Sequence, residues 1–475
     1  MTRREIKTLI FANSRGDVEL IVSKLRELAA QDKQPDIYYV HHGSISKPMR
    51  EAAETAMREP DKAACVAATI TLELGIDLGQ LDQVLQVKAP GTVASFVQRL
   101  GRSGRRGQAS KMYFYARERV PNADATLGKR LPWDLIQTIA TVQLYLDEKW
   151  IEPPDLPQYP FSLLYHQTMS ILTANTELLP PQLAEQALTL APFAHITQEQ
   201  YRTLLQHLLT IKHIEQAENG ALIVGLEGEK IVSHYPFFAT FKDESTFLVR
   251  HGASEIGNIH FAPAKGKFIA LAGRTWKVLE VNQDKHLILA EPSTGQAASQ
   301  WLGGGSHIHQ RVMERMRQLL LDNTQYGYLR EHAQTRLAEA RELARRHNLG
   351  RAQIVALDED HTRYLILPWQ STHTVETLIK MLELRNIKVI ESGLPFYFEV
   401  SVPDITVEAV QRELRLITAN PPTAEQLIAT LDRKSLEADK YDEFVPEALL
   451  REAFAVDRLD VSGALASFAQ LQTTL

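Results

Sequence analysis

The sequence predicts an α/β chain that opens on a doubly wound parallel sheet, and three observations carry that expectation. Short apolar runs alternate with amphipathic stretches from Ile6 to Tyr115, the rhythm of strands joined by crossover helices. Each run ends in a polar cluster, and the carboxyl ends of strands are where such sheets meet their ligands. Past Lys149 the rhythm stops at Pro153, Pro154, Pro157 and Pro160, which mark a linker to further units.

Taken in order, Ile6 to Phe11 is the first strand, running into Ala12-Asn13-Ser14-Arg15. Asp17 to Ala30 follows as a helix, with Leu20, Ile21, Leu25 and Leu28 at helical spacing. Ile37 to Val40 is the second strand and ends at His41-His42-Gly43-Ser44, before a helix that runs through Met57. Ala63 to Ala68 is the third, leading into Thr69-Ile70-Thr71-Leu72-Glu73-Leu74-Gly75-Ile76-Asp77. Val84 to Val87 comes next, then an arginine-rich helix, then the strand Met112 to Tyr115. Within Gln98-Arg99-Leu100-Gly101-Arg102-Ser103-Gly104-Arg105, a spacing of three is expected to keep the three arginines on one helical face. Planar guanidinium forks stabilise charge on a transferred phosphoryl group better than point-like ammonium groups do.

Residues 1–150 form the first domain on this reading. Residues 151–245 read as a winged-helix-like domain: helices at Leu163 to Leu172, Pro181 to Thr189 and Gln198 to Leu209, then Ile214 to Val224 with an Asn219-Gly220 turn. No Lys or Arg lies between Leu204 and Thr210, which favours a strut over a base-reading helix. Residues 246–306 read as a small β-rich domain containing Trp276, either a core residue or a platform for a nucleic-acid base. Residues 307–420 read as two helices and an α+β unit, and residues 421–475 as an acidic helical tail, a solvated pair or a docking surface. His307 and His309 lack partners at ligand spacing, so no metal site is expected.

The polar clusters match a known pattern in order. Gln98, Gly101, Arg102 and Arg105 spell Q-x-x-G-R-x-x-R and resemble motif VI of superfamily 2 helicases. Ile10 to Arg15 resembles motif IV, and Thr69 to Asp77 resembles motif V. His41 to Ser46, Val93-Ala94-Ser95, the G-R-x-W-x-V of Gly273 to Val278 and Trp301-Leu302-Gly303-Gly304-Gly305 narrow the likeness to the large helicase-related (Lhr) family. The resemblance implies a second RecA-like domain and ATP with magnesium as the shared cofactor. It implies Arg102 and Arg105 as phosphate contacts with Gln98 positioning them, and Gly75 and Asp77 on the nucleotide. Ser14, Arg15, Gly43, Thr69 and Arg99 would hold the nucleic acid, DNA in that family. Local readings stand beside two of these, Thr69 as a helix N-cap and Asp77 as a turn residue.

A helicase ATPase also needs a first RecA-like domain with a phosphate loop ending Gly-Lys-Ser/Thr. Gly128-Lys129 is followed by Arg130 and Gly266-Lys267 by Phe268, so that tripeptide does not occur. Asp358-Glu359-Asp360-His361 resembles an acidic D-E-x-H box, but it follows motif VI and reads as a turn after a strand. The expectation is therefore half of an ATPase site, completed by an N-terminal helicase half on another polypeptide. The alternative is an ATP-independent nucleic-acid-binding or regulatory protein, or a gene fragment.

Composition fits this reading. The chain has 475 residues, 44% of them hydrophobic and 23% charged, an ordinary globular balance. No apolar run approaches the ~20 residues that span a bilayer, and Thr8 to Ala12 is too short for a secretion signal. With a single cysteine, Cys65, no disulfide can form within the chain, and a cytoplasmic protein without membrane contact is expected. The net charge of −6 averages unlike parts: residues 1–150 hold 22 basic against 18 acidic side chains, and Arg99 to Arg130 nine against two. Phosphate attraction is local, which places it on the first domain.

Overall fold

The structure is a computed structural model and describes residues 6–59, 62–74, 78–79, 81–104, 109–118, 120–122, 124–242, 246–293, 307–358, 362–401 and 407–473. The first unit is a five-stranded sheet of β1 (Lys7–Phe11), β2 (Tyr38–His41), β3 (Ala64–Ala68), β4 (Gln83–Val87) and β5 (Met112–Tyr115). All pairings are parallel and the order is β2-β3-β1-β4-β5. The strands β1 and β3 are buried along their whole length, which is why they read as continuous apolar runs rather than alternating ones. Connections leave β1 and β4 towards opposite sides, so their carboxyl ends flank the topological switch point of the sheet.

Helix α1 (Arg15–Gln31) starts at Ser14, whose hydroxyl accepts the Asp17 amide at 3.1 Å. Helix α2 (Lys47–Arg58) starts on a proline in its first turn. Helix α3 (Val93–Leu100) is capped by Thr92 and stops with Gly101 as its C-cap. Arg99 is therefore helical and Arg102 is not, so these two do not share the expected helical face; Arg105 lies outside the described residues. After a short turn α4 (Leu127–Arg130), helix α5 (Trp133–Glu148) is buried from Trp133 to Leu144. It is covered by the later helices Gln310–Leu321 and Glu331–Arg346, with Met313, Met316 and Leu337 in one core with Ile136 and Ile139.

Helices Phe161–Asn175, Pro180–Leu188 and Gln198–Thr210 accompany a three-stranded sheet of Glu177–Leu178, Leu222–Val224 and Ile214–Gln216. Residues Phe247–Ser293 form five strands around the long strand Arg274–Asn282. Trp276 lies 5% exposed in that core with Nε1 donating to the Leu271 carbonyl at 2.8 Å, so it packs rather than presenting a stacking face. A four-stranded sheet from Ile354 to Ser401 carries helix Thr372–Glu383 on one face. Asp358 closes the turn before its second strand by accepting the Thr362 amide at 2.7 Å; Glu359, Asp360 and His361 lie outside the described residues.

The acidic tail is neither a solvated pair nor a loose extension. Leu436, Tyr441, Val445, Leu449 and Leu450 complete the core of the helices at 161–210, and Ala464, Phe468 and Leu471 complete the core beneath the four-stranded sheet. Most of its charged residues face outward, Asp442 being a buried exception, while an apolar stripe joins two units, the normal division for an amphipathic helix.

Candidate functional site

The loops that follow β1, β3 and β4 and the end of α3 converge at the switch point. Asn13, after β1, donates through Nδ2 to the Ala89 carbonyl after β4 at 2.6 Å. Lys88 Nζ meets Asp17 Oδ2 at 2.8 Å, tying the β4 loop to the start of α1. Asp134, at the head of α5, accepts the amides of Ala89 at 2.5 Å and Arg117 at 2.8 Å. Burial pushes its carboxyl above the usual range, against the lowering pull of those amides.

Glu73 organises the centre. Its carboxylate is held by Arg99, Nε to Oε1 at 2.6 Å, and its backbone carbonyl by Arg102, Nε to O at 2.7 Å. Glu73, in the segment that resembles motif V, thus carries both described arginines of the segment that resembles motif VI, one on its carboxylate and one on its backbone carbonyl. Arg99 also donates to Gln86 Oε1 at 2.6 Å and to Asn13 Oδ1 at 3.3 Å, and its guanidinium lies 5.0 Å from the Phe11 ring centre. Burial lowers its pKa, and the Glu73 carboxylate opposes that shift. At 2% exposure, Arg99 is a buried clamp and not the surface contact for a nucleic-acid strand that the sequence suggested. A guanidinium has five donors in a fixed fork, and here they bind the domain's own loops.

The other expected residues separate by environment. Gln98 is exposed on α3. Thr69 precedes the short 3-10 turn Ile70–Leu72 with no capping bond from its hydroxyl, so the N-cap reading does not account for it. Gly43 is exposed, and an added Cβ would meet nothing within 4 Å. Ser14 is engaged as the α1 cap, and Arg15 Nη1 reaches His260 Nε2 on the β-rich unit. Gly75, Asp77 and Arg105 lie outside the described residues.

Sequence reading missed a buried junction behind these loops. The Ser44 amide donates to His42 Nδ1 at 3.2 Å, so His42 Nε2 carries the hydrogen that it gives to Glu19 at 2.9 Å. Glu19, fully buried on α1, also accepts the amides of Ala272 at 2.7 Å and Gly273. Gly273 sits at φ +67°, where a Cβ would stand 2.4 Å from Val22 Cγ1; only glycine fits the approach. The two sequence signatures, His41 to Ser46 and Gly273 to Val278, are therefore two sides of one contact. His41 faces the other way: Nδ1 lies 2.9 Å from Thr71 Oγ1 and Nε2 3.2 Å from Glu54, and burial lowers its pKa against the pull of Glu54. A buried carboxylate at Glu19 surrounded by apolar positions of α1 was the available signal.

Among the described residues no group of three or more His, Cys, Asp or Glu could hold a metal ion, and no helix is long and apolar enough to cross a membrane. Cys65 is buried in β3, and its thiol is pushed up to about 12 by burial.

The helicase conserved C-terminal domain family matches residues 1–107. The chain is 24% identical over 353 residues to the Lhr helicase/uracil glycosylase of Escherichia coli strain K12, a match spanning 64% of this chain and 22% of that protein. It is 26% identical over 304 residues to the ATP-dependent helicase Lhr-Core of Sulfolobus acidocaldarius, spanning 61% of this chain and 32% of that one. The chain thus spans between about a fifth and a third of the length of these two relatives. Its fold is similar to Mycobacterium smegmatis helicase Lhr, solved bound to ssDNA and AMP-PNP, with TM-score 0.60 and 19% identity over 99% of this chain and 64% of that chain. The chain is thus similar over its first 107 residues to the helicase conserved C-terminal domain, and over about three fifths of its length to Lhr helicases.

Proposed function

We propose that this chain supplies the second RecA-like domain and accessory units of an Lhr-like, ATP-dependent DNA helicase, completed by a first RecA-like domain that carries the phosphate loop. One observation supports the reading above others: Glu73 ties Arg99 and Arg102 to the turn after β3. That clamp holds the loops resembling motifs V and VI in one rigid arrangement at the switch point. Electrostatic stabilisation of a transferred phosphoryl group depends on such preorganisation.

In this reading ATP and magnesium sit between the two RecA-like domains, and the described residues fit the guanidinium side of that site. Arg102 spends two donors on Glu73 and acts chiefly to position the loop. Arg105, three residues on in the sequence, is then the group assigned to developing phosphate charge, with Gln98 as a positioning residue and Gly75 and Asp77 as nucleotide contacts. Gly43, which is exposed, and Thr69, whose hydroxyl makes no capping bond, hold the strand, and Ser14 and Arg15 border it. Closure and reopening of the two domains would move the strand between two grips. The first domain lies outside these 475 residues, and the protein works in the cytoplasm.

The test is ATP hydrolysis stimulated by single-stranded DNA. The chain alone should show none, and addition of a first RecA-like domain bearing Gly-Lys-Thr and a D-E-x-H box should restore it. Arg105→Ala should then lower turnover by on the order of 10³-fold, and Arg105→Lys should rescue poorly because the planar fork is lost. Hydrolysis by the chain alone, or unchanged turnover in the Arg105→Ala enzyme, would overturn the reading. DNA binding that persists with no restored hydrolysis would favour the ATP-independent alternative.

A further inference from the structure

Among the described residues the most exposed aromatic side chains gather on one turn. In the segment after helix Leu226–Val232, Tyr235 is 87% exposed, Phe238 75% and Phe241 84%. Solitary exposed apolar residues are ordinary, but three large rings within seven residues form a contiguous patch of the kind that marks a contact site.

The turn is built to hold those rings out. Between them Phe237 is 5% exposed and packs into the core, 4.6 Å from the His166 ring and 6.2 Å from Tyr441. Tyr441 Oη donates to the Phe237 carbonyl at 2.9 Å, and Lys440 Nζ to the Pro236 and Ala239 carbonyls at 2.6 and 2.9 Å. Tyr235 and Phe238 stand 6.5 Å apart at 54°, a tilted pair with its outer edges uncovered. The backbone that carries the rings is thus fixed before any contact, which favours a preorganised surface.

We propose that Tyr235, Phe238 and Phe241 form the docking surface for the first RecA-like domain of the same motor, a proposal that rests on the function inferred above. Charge selects a protein over a nucleic-acid strand. The nearby cations Lys242 and Lys440 bind backbone carbonyls, and Glu437 and Asp439 lie on the adjoining segment, so among the described residues no basic track runs beside the rings. Aromatic enrichment without a dominant charge is the composition of an interface centre, whereas strand binding needs a run of cations. Area agrees: three such rings bury roughly 450–750 Å², most of the ~800 Å² per partner of a standard interface. The solved Lhr neighbour also extends beyond this chain, which covers 64% of it, so further protein is available to lie on the patch.

The experiment titrates a first RecA-like domain bearing the phosphate loop against the full chain by calorimetry, with ATPase and light scattering alongside. The Tyr235→Ala/Phe238→Ala double variant should weaken association by about tenfold or more, while the Tyr235→Phe/Phe238→Tyr exchange keeps it. Both positions are exposed, so the variant should retain its thermal transition. Arg105→Ala separates the two ideas, because it should lower turnover with association intact. Unchanged association in the double variant, with ATPase restored in the wild type, overturns the docking surface and leaves the helicase reading standing. Absence of both association and hydrolysis in the wild type overturns that reading and the surface with it. A wild-type dimer lost in the double variant, or a selective loss of oligo(dT) affinity, assigns the patch to a second copy or a strand and overturns the proposal.

Discussion

Two regions of the molecule solve the problem of burial in opposite ways. Inside the five-stranded unit, charged side chains are buried and held by polar partners: Arg99 by Glu73, and Glu19 by the His42 ring and the Ala272 and Gly273 amides. The unit formed by the helices at 161–210 and residues 431–457 instead closes over an apolar core, relieved by neutral contacts such as Tyr165 Oη to His213 Nδ1 at 2.9 Å and Thr168 Oγ1 to Tyr201 Oη at 3.0 Å. Buried ion pairs are poor stabilisers compared with apolar packing, since desolvation offsets much of their attraction. Their concentration behind the loops of the candidate site therefore suits rigid positioning there better than stability. The apolar unit has the character of a brace.

Breaking the polar region should have the largest effect. Arg99→Ala leaves the Glu73 carboxylate buried without its partner, and unfolding by denaturant should show a loss of about 3–5 kcal/mol. Arg99→Met of similar length should be no better, because Glu73 and Gln86 still lose their donor. A loss below about 1 kcal/mol would mean that water replaces the guanidinium and that the clamp is weak.

The apolar region should respond next, through cavity formation. Leu449→Ala, in a residue 4% exposed from the supposed tail, should cost about 2–4 kcal/mol and destabilise the helices at 161–210. Hydrogen exchange confined to residues beyond 430 would show instead that the tail is only loosely attached.

Asp442 gives the smallest and most specific contrast. Burial pushes its carboxyl up to about 6, although its Oδ2 accepts the Ala438 and Asp439 amides at 2.9 and 2.7 Å. The folded state then binds the proton more tightly than the unfolded chain, whose Asp titrates near 3.8. The associated stability is fully present below the unfolded value and lost as pH rises through about 6. Melting temperature should fall from pH 5 to pH 7.5 in the wild type, and this slope should flatten in Asp442→Asn, which keeps an acceptor but not the charge. An identical slope in both proteins would assign the pH dependence to other groups.

Much of the first unit was legible because its determinants are local. The strands β1 to β4 fall within a residue of the apolar runs that announced them, and β5 coincides with Met112 to Tyr115. A run of four or five apolar residues followed by a polar loop needs no distant partner to be recognised. The same locality misled at the arginines. Spacing of three suggests one helical face, but Gly101 ends α3, and Arg102 turns back to the Glu73 carbonyl.

What the sequence determined by itself was the order of elements, the clusters at the strand ends and the likeness of those clusters to helicase motifs, all carried by residues close in the chain. Only the tertiary structure decided what each charged side chain does. Glu73 and Arg99 are 26 residues apart, Glu19 and Ala272 are 253, and the Ser162 hydroxyl that receives the Tyr441 amide is 279 away. At such separations periodicity carries no information. A guanidinium bound to a buried carboxylate and one facing solvent have the same sequence pattern, and packing alone tells them apart.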